Sequence, residues 1–251
     1  MSSPPNSNTA AMVLAAGRGN RMRPLTDHTP KPLLQVRGKP LMLWPMDALQ
    51  AGGFRRVMVN TAWLGEQIAE RLGAWSVEHP QAALAFSHEG QEFGYALETA
   101  GGIARALPWL GEVFWVLAGD VYVPDFVFTQ ASVDRFAASG LLAHIWLVPN
   151  PSHNPYGDFG LSSDGFALNT ADDDRFTYST IGLYRRALFE APWCDILPGN
   201  PQGTAAPLAP LLRAAMDAGQ VSAELYTGRW TDVGTPERLE ELNRSAALPA
   251  A

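Results

Sequence analysis

Short, continuously apolar runs alternate with amphipathic stretches through the first 150 residues. The runs at residues 11–16, 57–60, 84–87, 113–118 and 142–148 are too short for helices and are bounded by turn residues. That is the pattern of strands buried on both faces. Between them, residues 41–51, 65–72, 99–107 and 125–138 carry apolar side chains at helical spacing and suit crossover helices. Pro45 lies inside the first of these, where its missing amide donor predicts a kink or a delayed start. Beyond residue 150 the chain turns rich in Gly, Asp and Asn. Strands are expected there at 176–184 and 221–226, and helices at 207–218 and 236–245.

The pattern predicts a doubly wound α/β fold with a mostly parallel sheet, the second half acting as a lid on it. No linker-like composition separates the halves, so residues 10–245 read as one domain with subregions 10–149 and 150–245. Residues 1–9, rich in Ser, Pro and Asn, read as a disordered leader, and 246–251 as a tail.

Composition narrows the partners. In 251 residues, 18 Lys and Arg face 25 Asp and Glu, a net charge of −7, which opposes a nucleic acid as partner. The single Cys194 cannot form an internal disulfide, and a small buried side chain is its expected role. With no charged-then-apolar leader and no apolar run near 18 residues, a cytoplasmic protein without a membrane partner is expected.

Against that acidic background, Arg18, Arg21, Arg23 and Lys31 bring four positive charges within 14 residues. They follow the strand at 11–16, and open α/β sheets bind ligands at the carboxyl ends of their strands. Gly17 and Gly19 allow backbone amides to approach a phosphate closely. The spacing fits neither a Walker loop, which ends in Gly-Lys-Ser/Thr, nor a dinucleotide fingerprint, which needs a small residue where Met22 stands. Asp120 emerges at the end of the strand at 113–118. Asp232 precedes a helix for which Thr235, before Pro236, makes the better cap. The acidic run 172–174 reads as a solvated loop. Thr99 reads as the cap of the helix beginning near it, with Gly101 leaving room for close backbone approach.

The segment Leu14-Ala15-Ala16-Gly17-Arg18-Gly19-Asn20-Arg21-Met22, followed by Thr29-Pro30-Lys31-Pro32-Leu33, resembles the sugar-1-phosphate nucleotidyltransferase family. Gly119-Asp120 and Trp230-Thr231-Asp232-Val233-Gly234-Thr235 resemble its two later motifs. The resemblance runs from about residue 11 to 242 and implies a Rossmann-like nucleotidyltransferase fold. It also implies an enzyme that transfers a nucleotidyl group to a sugar 1-phosphate and releases pyrophosphate.

Carried over, the nucleotide falls to Leu14, Ala15, Ala16, Gly17 and Gly19, the triphosphate to Arg21, phosphoryl charge to Lys31, and Mg²⁺ to Asp120 and Asp232. Arg21, Lys31 and Asp120 are then the catalytic set. The loop with Glu89, Thr99 and Gly101 would contact the base, Glu89 as acceptor for an imino proton. Gly157 and Asp158 would meet the sugar, with Asn169, Thr180 and Gly182 adding contacts; His153 and Asn154 lie close by. Residues 60–65, 97–102, 208–213 and 226–230 look like the uridylyltransferase branch that serves cell-wall recycling, which implies UTP as donor. Guanylyl- and thymidylyltransferases share Arg21, Lys31, Asp120 and Asp232. The attacking phosphate is already largely ionised near neutral pH, so no general base is required. A monomer or small homo-oligomer is expected. The rival reading is a nucleotide-sugar sensor that keeps the fold without the chemistry.

Overall fold

The computed structural model describes residues 7–170 and 175–244. The acidic run 172–174 and the tail 246–251 lie outside the described residues, as do residues 1–6 of the expected leader. Residues 7–9 are not leader but strand. In chain order the strands are β1 (Ser7–Leu14), β2 (Gln35–Val36), β3 (Lys39–Pro40), β4 (Phe54–Thr61), β5 (Ala83–His88), β6 (Val113–Ala118), β7 (Val121–Tyr122), β8 (Ala143–Val148), β9 (Phe159–Leu161), β10 (Ala167–Leu168), β11 (Arg175–Arg185), β12 (Val221–Leu225) and β13 (Thr231–Asp232). The helices are α1 (Leu43–Ala51), α2 (Gly65–Glu78), α3 (Glu89–Phe93), α4 (Glu98–Leu110), α5 (Gln130–Ser139), α6 (Leu208–Asp217) and α7 (Pro236–Arg244).

Elements expected from the apolar pattern lie within a few residues of these. The first helix begins at Leu43, so Pro45 falls in its first turn, where a missing amide costs no helical hydrogen bond. The fourth begins at Gln130 rather than 125, because Thr129 caps it by accepting from the Ser132 amide at 3.1 Å. Thr235 caps α7 as expected, accepting from the Arg238 amide at 3.4 Å. Thr99 caps nothing. It lies inside α4, whose preceding residue is Leu97, because the chain enters the helix through a left-handed Glu98.

The main sheet has nine strands, in the order β10-β9-β11-β6-β1-β4-β5, with β8 on another stretch of β11 and β12 beside β8. Pairs β1–β4, β1–β6, β4–β5 and β8–β12 are parallel, while β11 runs antiparallel to both β6 and β8. The second half is thus woven into the sheet as well as laid against it. Alternate residues of the central strands serve opposite faces. Met12, Phe114 and Val116 join Ile103 and Leu107 of α4 and Leu212 and Met216 of α6. Ala11, Val13, Trp115 and Leu117 join Met46 of α1, Leu72 and Trp75 of α2 and Phe136 of α5. Each fully buried apolar side chain of this size contributes about 1.5–3 kcal/mol, so both covered faces add to the stability of the sheet.

A third, smaller cluster positions the site. Met22, Leu34, Val36 and Leu41 pack with Tyr122, Val233 and Leu239. It pins the loop after β1 to the β7–β13 pair, which carries the chain on from Asp120 and ends at Asp232.

Candidate active site

β1 and β6 lie side by side, with Leu14 paired to Ala118, and both end at the same edge. The Gly119 amide donates to the Leu14 carbonyl at 2.8 Å. A Cβ at position 119 would stand 3.1 Å from that oxygen, so glycine allows the two strand ends to close on each other. Two cavities meet there, and Leu14, Gly17 and Asp120 line both.

The smaller, about 350 Å³, is lined by Ala15, Gly19, Arg21, Lys31 and Gly234 among others. Arg21 is exposed and Met22 is 1 % exposed. The buried methionine therefore anchors the loop while its neighbour faces outward. Arg21 has no hydrogen bond or ion pair among the described residues, which leaves its guanidinium free for an incoming anion. Lys31 donates to the Asp120 carboxylate, a contact spanning 89 residues of sequence. Not all four cations of the segment serve this cavity. Arg23 pairs with Asp27 at 2.8 Å, 60 % exposed. Arg18 lines the larger cavity, held by the Thr26 carbonyl and Asp27 and stacked 3.7 Å above the centre of Trp63. Trp63 itself donates to the Thr26 carbonyl at 2.9 Å. A tryptophan from beyond β4 thus braces the loop, a role that residue type alone does not reveal.

The larger cavity, about 660 Å³, has a mainly apolar lining that includes Val116, Phe159, Tyr178, Leu208 and Leu212. Its polar groups are few: Arg18, Asn60, Glu98, Thr99, Asp120, Tyr178 and Thr180. A mostly apolar cleft with a few placed polar groups is the usual form of a small-molecule site. Tyr178 and Tyr184 share a 2.6 Å hydrogen bond. Burial pushes both phenols above the ordinary tyrosine range, so they stay protonated. Thr180 sits in a bulge where β11 slips against β8 between Tyr178 and Gly182. Its φ is +67°, uncommon for a β-branched residue. Its hydroxyl is buried without a hydrogen-bond partner. Bulges beside sites commonly re-aim a side chain, and here the bulge turns Thr180 to the cavity.

Three loops at this edge share one buried network. The Ala15 amide donates to Asn60 Oδ1 at 2.9 Å, Asn60 Nδ2 to Glu89 Oε1 at 2.8 Å, and the Leu97 amide to Glu89 Oε2 at 2.8 Å. Glu89 is 0 % exposed; desolvation raises its carboxyl above the usual range, partly offset by these bonds. The expectation that Glu89 meets a base is therefore corrected: it lies beneath the cavity, with both oxygens engaged. Asn60, a polar residue ending an apolar strand, was the overlooked signal.

Other expected contacts are corrected by packing. A Cβ on Gly101 would stand 2.4 Å from the Thr204 carbonyl, and one on Gly182 would stand 2.7 Å from the Tyr184 ring. Both glycines make room for neighbouring protein atoms, and neither lines the two cavities. Asn169 donates to Asp217 and accepts from Arg213, facing α6. Gly157, at φ +62°, fits against Arg175 and Asn150. Asp158 accepts from the Tyr178 amide at 2.8 Å and from Asn154 at 3.2 Å, so it braces β11 rather than lining the cavity. Leu14, Ala16, Gly17, Thr99 and Thr180 do line it.

Asp232 pairs opposite Val121, and the Val233 amide donates to the Asp120 carbonyl at 3.2 Å. The two aspartates, 112 residues apart in sequence, thus share one end of the β7–β13 pair. Asp232 contacts Arg238 and His153, each at 2.6 Å. Among the described residues no cluster of three or more potential metal-ligating side chains occurs, and no helix is long and apolar enough to cross a membrane.

A nucleotide-sized cleft joined to a cationic glycine loop defines a phosphate-handling enzyme, and comparison gives its class: the nucleotidyl transferase family model matches residues 10–247. The chain belongs to that family. It is 45% identical over 234 residues, 92% of this chain and 95% of the relative, to the N-acetylmuramate alpha-1-phosphate uridylyltransferase of Neisseria meningitidis serogroup B. The protein of that name from Caulobacter vibrioides is 30% identical, over 90% of this chain and 92% of its own. A mannose-1-phosphate guanylyltransferase catalytic subunit beta from Drosophila melanogaster is also 30% identical, but the match spans only 60% of that longer protein. Among solved structures, HddC from Yersinia pseudotuberculosis complexed with GMP-PN superposes with a TM-score of 0.71, at 18% identity over 95% of this chain and 99% of that one. That likeness is one of fold.

Proposed function

We propose that the protein transfers a uridylyl group from UTP to N-acetylmuramate α-1-phosphate, giving the UDP-sugar and pyrophosphate. The observation that carries this reading is the contact of Lys31 with Asp120 where the two cavities meet, beside a free Arg21. Neutral parts of both substrates fill the larger cavity, and the triphosphate enters the smaller one. The sugar phosphate attacks the α-phosphorus of UTP in line, and the bond to pyrophosphate breaks. Arg21 and Lys31 neutralise the anions as they approach; without them, two polyanions would repel each other at the reacting centre. The choice of uracil and of N-acetylmuramate is supported by the similarity to the two uridylyltransferases.

Mg²⁺ suits the donor set. It favours one or two carboxylates completed by phosphate oxygens, and Asp120 and Asp232 share one end of the β7–β13 pair. These two residues would hold it, and when bound it supplies charge neutralisation at the phosphates. Lys31 pairs with Asp120, and Arg238 and His153 contact Asp232.

Incubation with Mg²⁺ and a matrix of UTP, dTTP and GTP against N-acetylmuramate, glucose and mannose 1-phosphates tests the reading by pyrophosphate release. Release is expected with UTP and N-acetylmuramate 1-phosphate foremost. Tight nucleotide binding without release for any pair would instead indicate a sensor.

A further inference from the structure

The Asp232 carboxylate is held from two directions, by α7 on one side and by the loop after β8 on the other. Arg238 Nη1 donates to Asp232 Oδ1 at 2.6 Å and to the Asp232 carbonyl at 3.2 Å. One guanidinium nitrogen thus spans the backbone and the side chain of the same residue, which fixes the rotamer of the aspartate. His153 Nε2 lies 2.6 Å from the same Oδ1 and 2.8 Å from Arg238 Nη1, so imidazole and guanidinium meet on one oxygen. Each of the two is itself held in place. Gly234 lets the guanidinium through, since a Cβ there would stand 2.3 Å from Arg238 Nη2. Leu239, the next residue of α7, packs with Met22 and Tyr122. His153 stands between two asparagines that tie its loop to β11: Asn150 accepts from the Thr177 hydroxyl at 2.9 Å, and Asn154 donates to that hydroxyl at 3.1 Å. The Arg238 side chain is 16 % exposed, against 60 % for the surface-paired Arg23.

A brace between the two halves of the chain would need only one of these contacts, and either carboxylate oxygen would serve it. Here both contacts fall on Oδ1, which leaves Oδ2 to a cation. Metal-ligating carboxylates are themselves held by hydrogen bonds that orient them. We propose that Arg238 and His153 are positioning residues for the metal site: they hold Oδ1 of Asp232 and so orient its other oxygen toward Mg²⁺. This rests on the reading of Asp232 as a metal ligand. Neither side chain meets the nucleotide; the effect of both passes through Asp232.

Calorimetric titration of UTP, in Mg²⁺ and in EDTA, tests it on the wild type, Arg238→Met, His153→Ala, Asp232→Asn and the variant carrying both Arg238→Met and Asp232→Asn; thermal melting checks that each is folded. Losing an orienting partner weakens a metal site about 10- to 100-fold, so UTP affinity in Mg²⁺ is expected to fall by about that factor in Arg238→Met and in His153→Ala. The loss is expected to be absent in EDTA. Once Asp232→Asn has removed the ligand, adding Arg238→Met should cost nothing further, the signature of two residues acting as one unit. Unchanged affinity in either single variant overturns the role of that residue. Tighter binding in Arg238→Met overturns the proposal, because the guanidinium would then compete with the metal. So does a loss of equal size in EDTA, or losses that add in the combined variant, because Arg238 would then act apart from Asp232. Should Arg238→Met fail to fold, His153→Ala decides. Asp232→Asn binding UTP in Mg²⁺ as tightly as the wild type overturns the metal reading beneath the proposal, and a wild type that binds no UTP overturns the functional reading itself, independently of the variants.

Discussion

Removing the Glu89 carboxylate perturbs the stability of the site edge more than its chemistry. Among the described residues its two oxygens are the acceptors for the Asn60 side-chain amide and the Leu97 backbone amide, each at 2.8 Å in a residue with no exposed surface. In Glu89→Ala both donors stay buried and unpaired. An orphaned buried donor costs about 1–3 kcal/mol, so the two together cost roughly 2–6 kcal/mol. Part of this is offset, because burying the charge is itself unfavourable, as the raised pKa indicates; a net loss of about 2–4 kcal/mol is expected. Glu89→Gln is nearly isosteric but does not rescue the network. Its amide would face one of the two donors, and Asn60 cannot turn over to accommodate it without presenting an N–H to the Ala15 amide. Gln is therefore expected to lose about 1–3 kcal/mol. Urea unfolding followed by tryptophan fluorescence measures both values. Steady-state kinetics should show a raised KM for the nucleotide, since Ala15 and Leu97 flank the cavity. A stability of Glu89→Ala within about 0.5 kcal/mol of wild type would refute the reasoning.

Other outcomes follow from single groups. Lys31→Ala is expected to lower kcat about 100- to 1000-fold, the usual effect of removing one transition-state charge donor, with unfolding little changed; near-normal turnover would count against the proposed chemistry. Thr180→Val keeps the shape of the bulge and removes a hydroxyl without a partner. It should leave the melting temperature unchanged or raised and the kinetics unchanged, because the hydroxyl is buried away from the open cavity; a lowered melting temperature would contradict an orphaned hydroxyl. His144 donates or accepts at 2.8 Å with the Ser222 hydroxyl and lies 3.8 Å from Glu224. Burial outweighs the carboxylate and depresses its pKa from 6.5 to about 4. A histidine held neutral in the fold contributes stability that is complete above its unfolded pKa, 6.5, and is lost as pH falls toward 4. That depression corresponds to about 3 kcal/mol. Urea titrations across that window should show the loss in wild type and a flatter profile in His144→Gln, and parallel profiles would contradict it.

Local chemistry carried the first layer of this protein into its sequence. Continuous apolar runs specify strands buried on both faces, and amphipathic spacing specifies the helices that cover them, because each pattern depends only on neighbouring residues. The basic glycine loop is equally local. Gly17, Gly19 and Arg21 follow one strand without a break, so their ligand side could be read from strand direction alone. What the tertiary structure decided are relations between distant segments. The contact of Lys31 with Asp120 joins residues 89 positions apart, and Asp232 reaches the same edge through pairing in the β7–β13 sheet. Glu89 and Glu98 show the limit most clearly. Both are glutamates in one stretch of polar and glycine-rich sequence, and residue type alone could not rank them. Backbone register buries Glu89 under Asn60 and Leu97, whereas a left-handed turn at Glu98 leaves its carboxylate facing the cavity. Burial and backbone handedness are set by what packs on either side, and those neighbours come from β4 and from residues near Ala206, far along the chain.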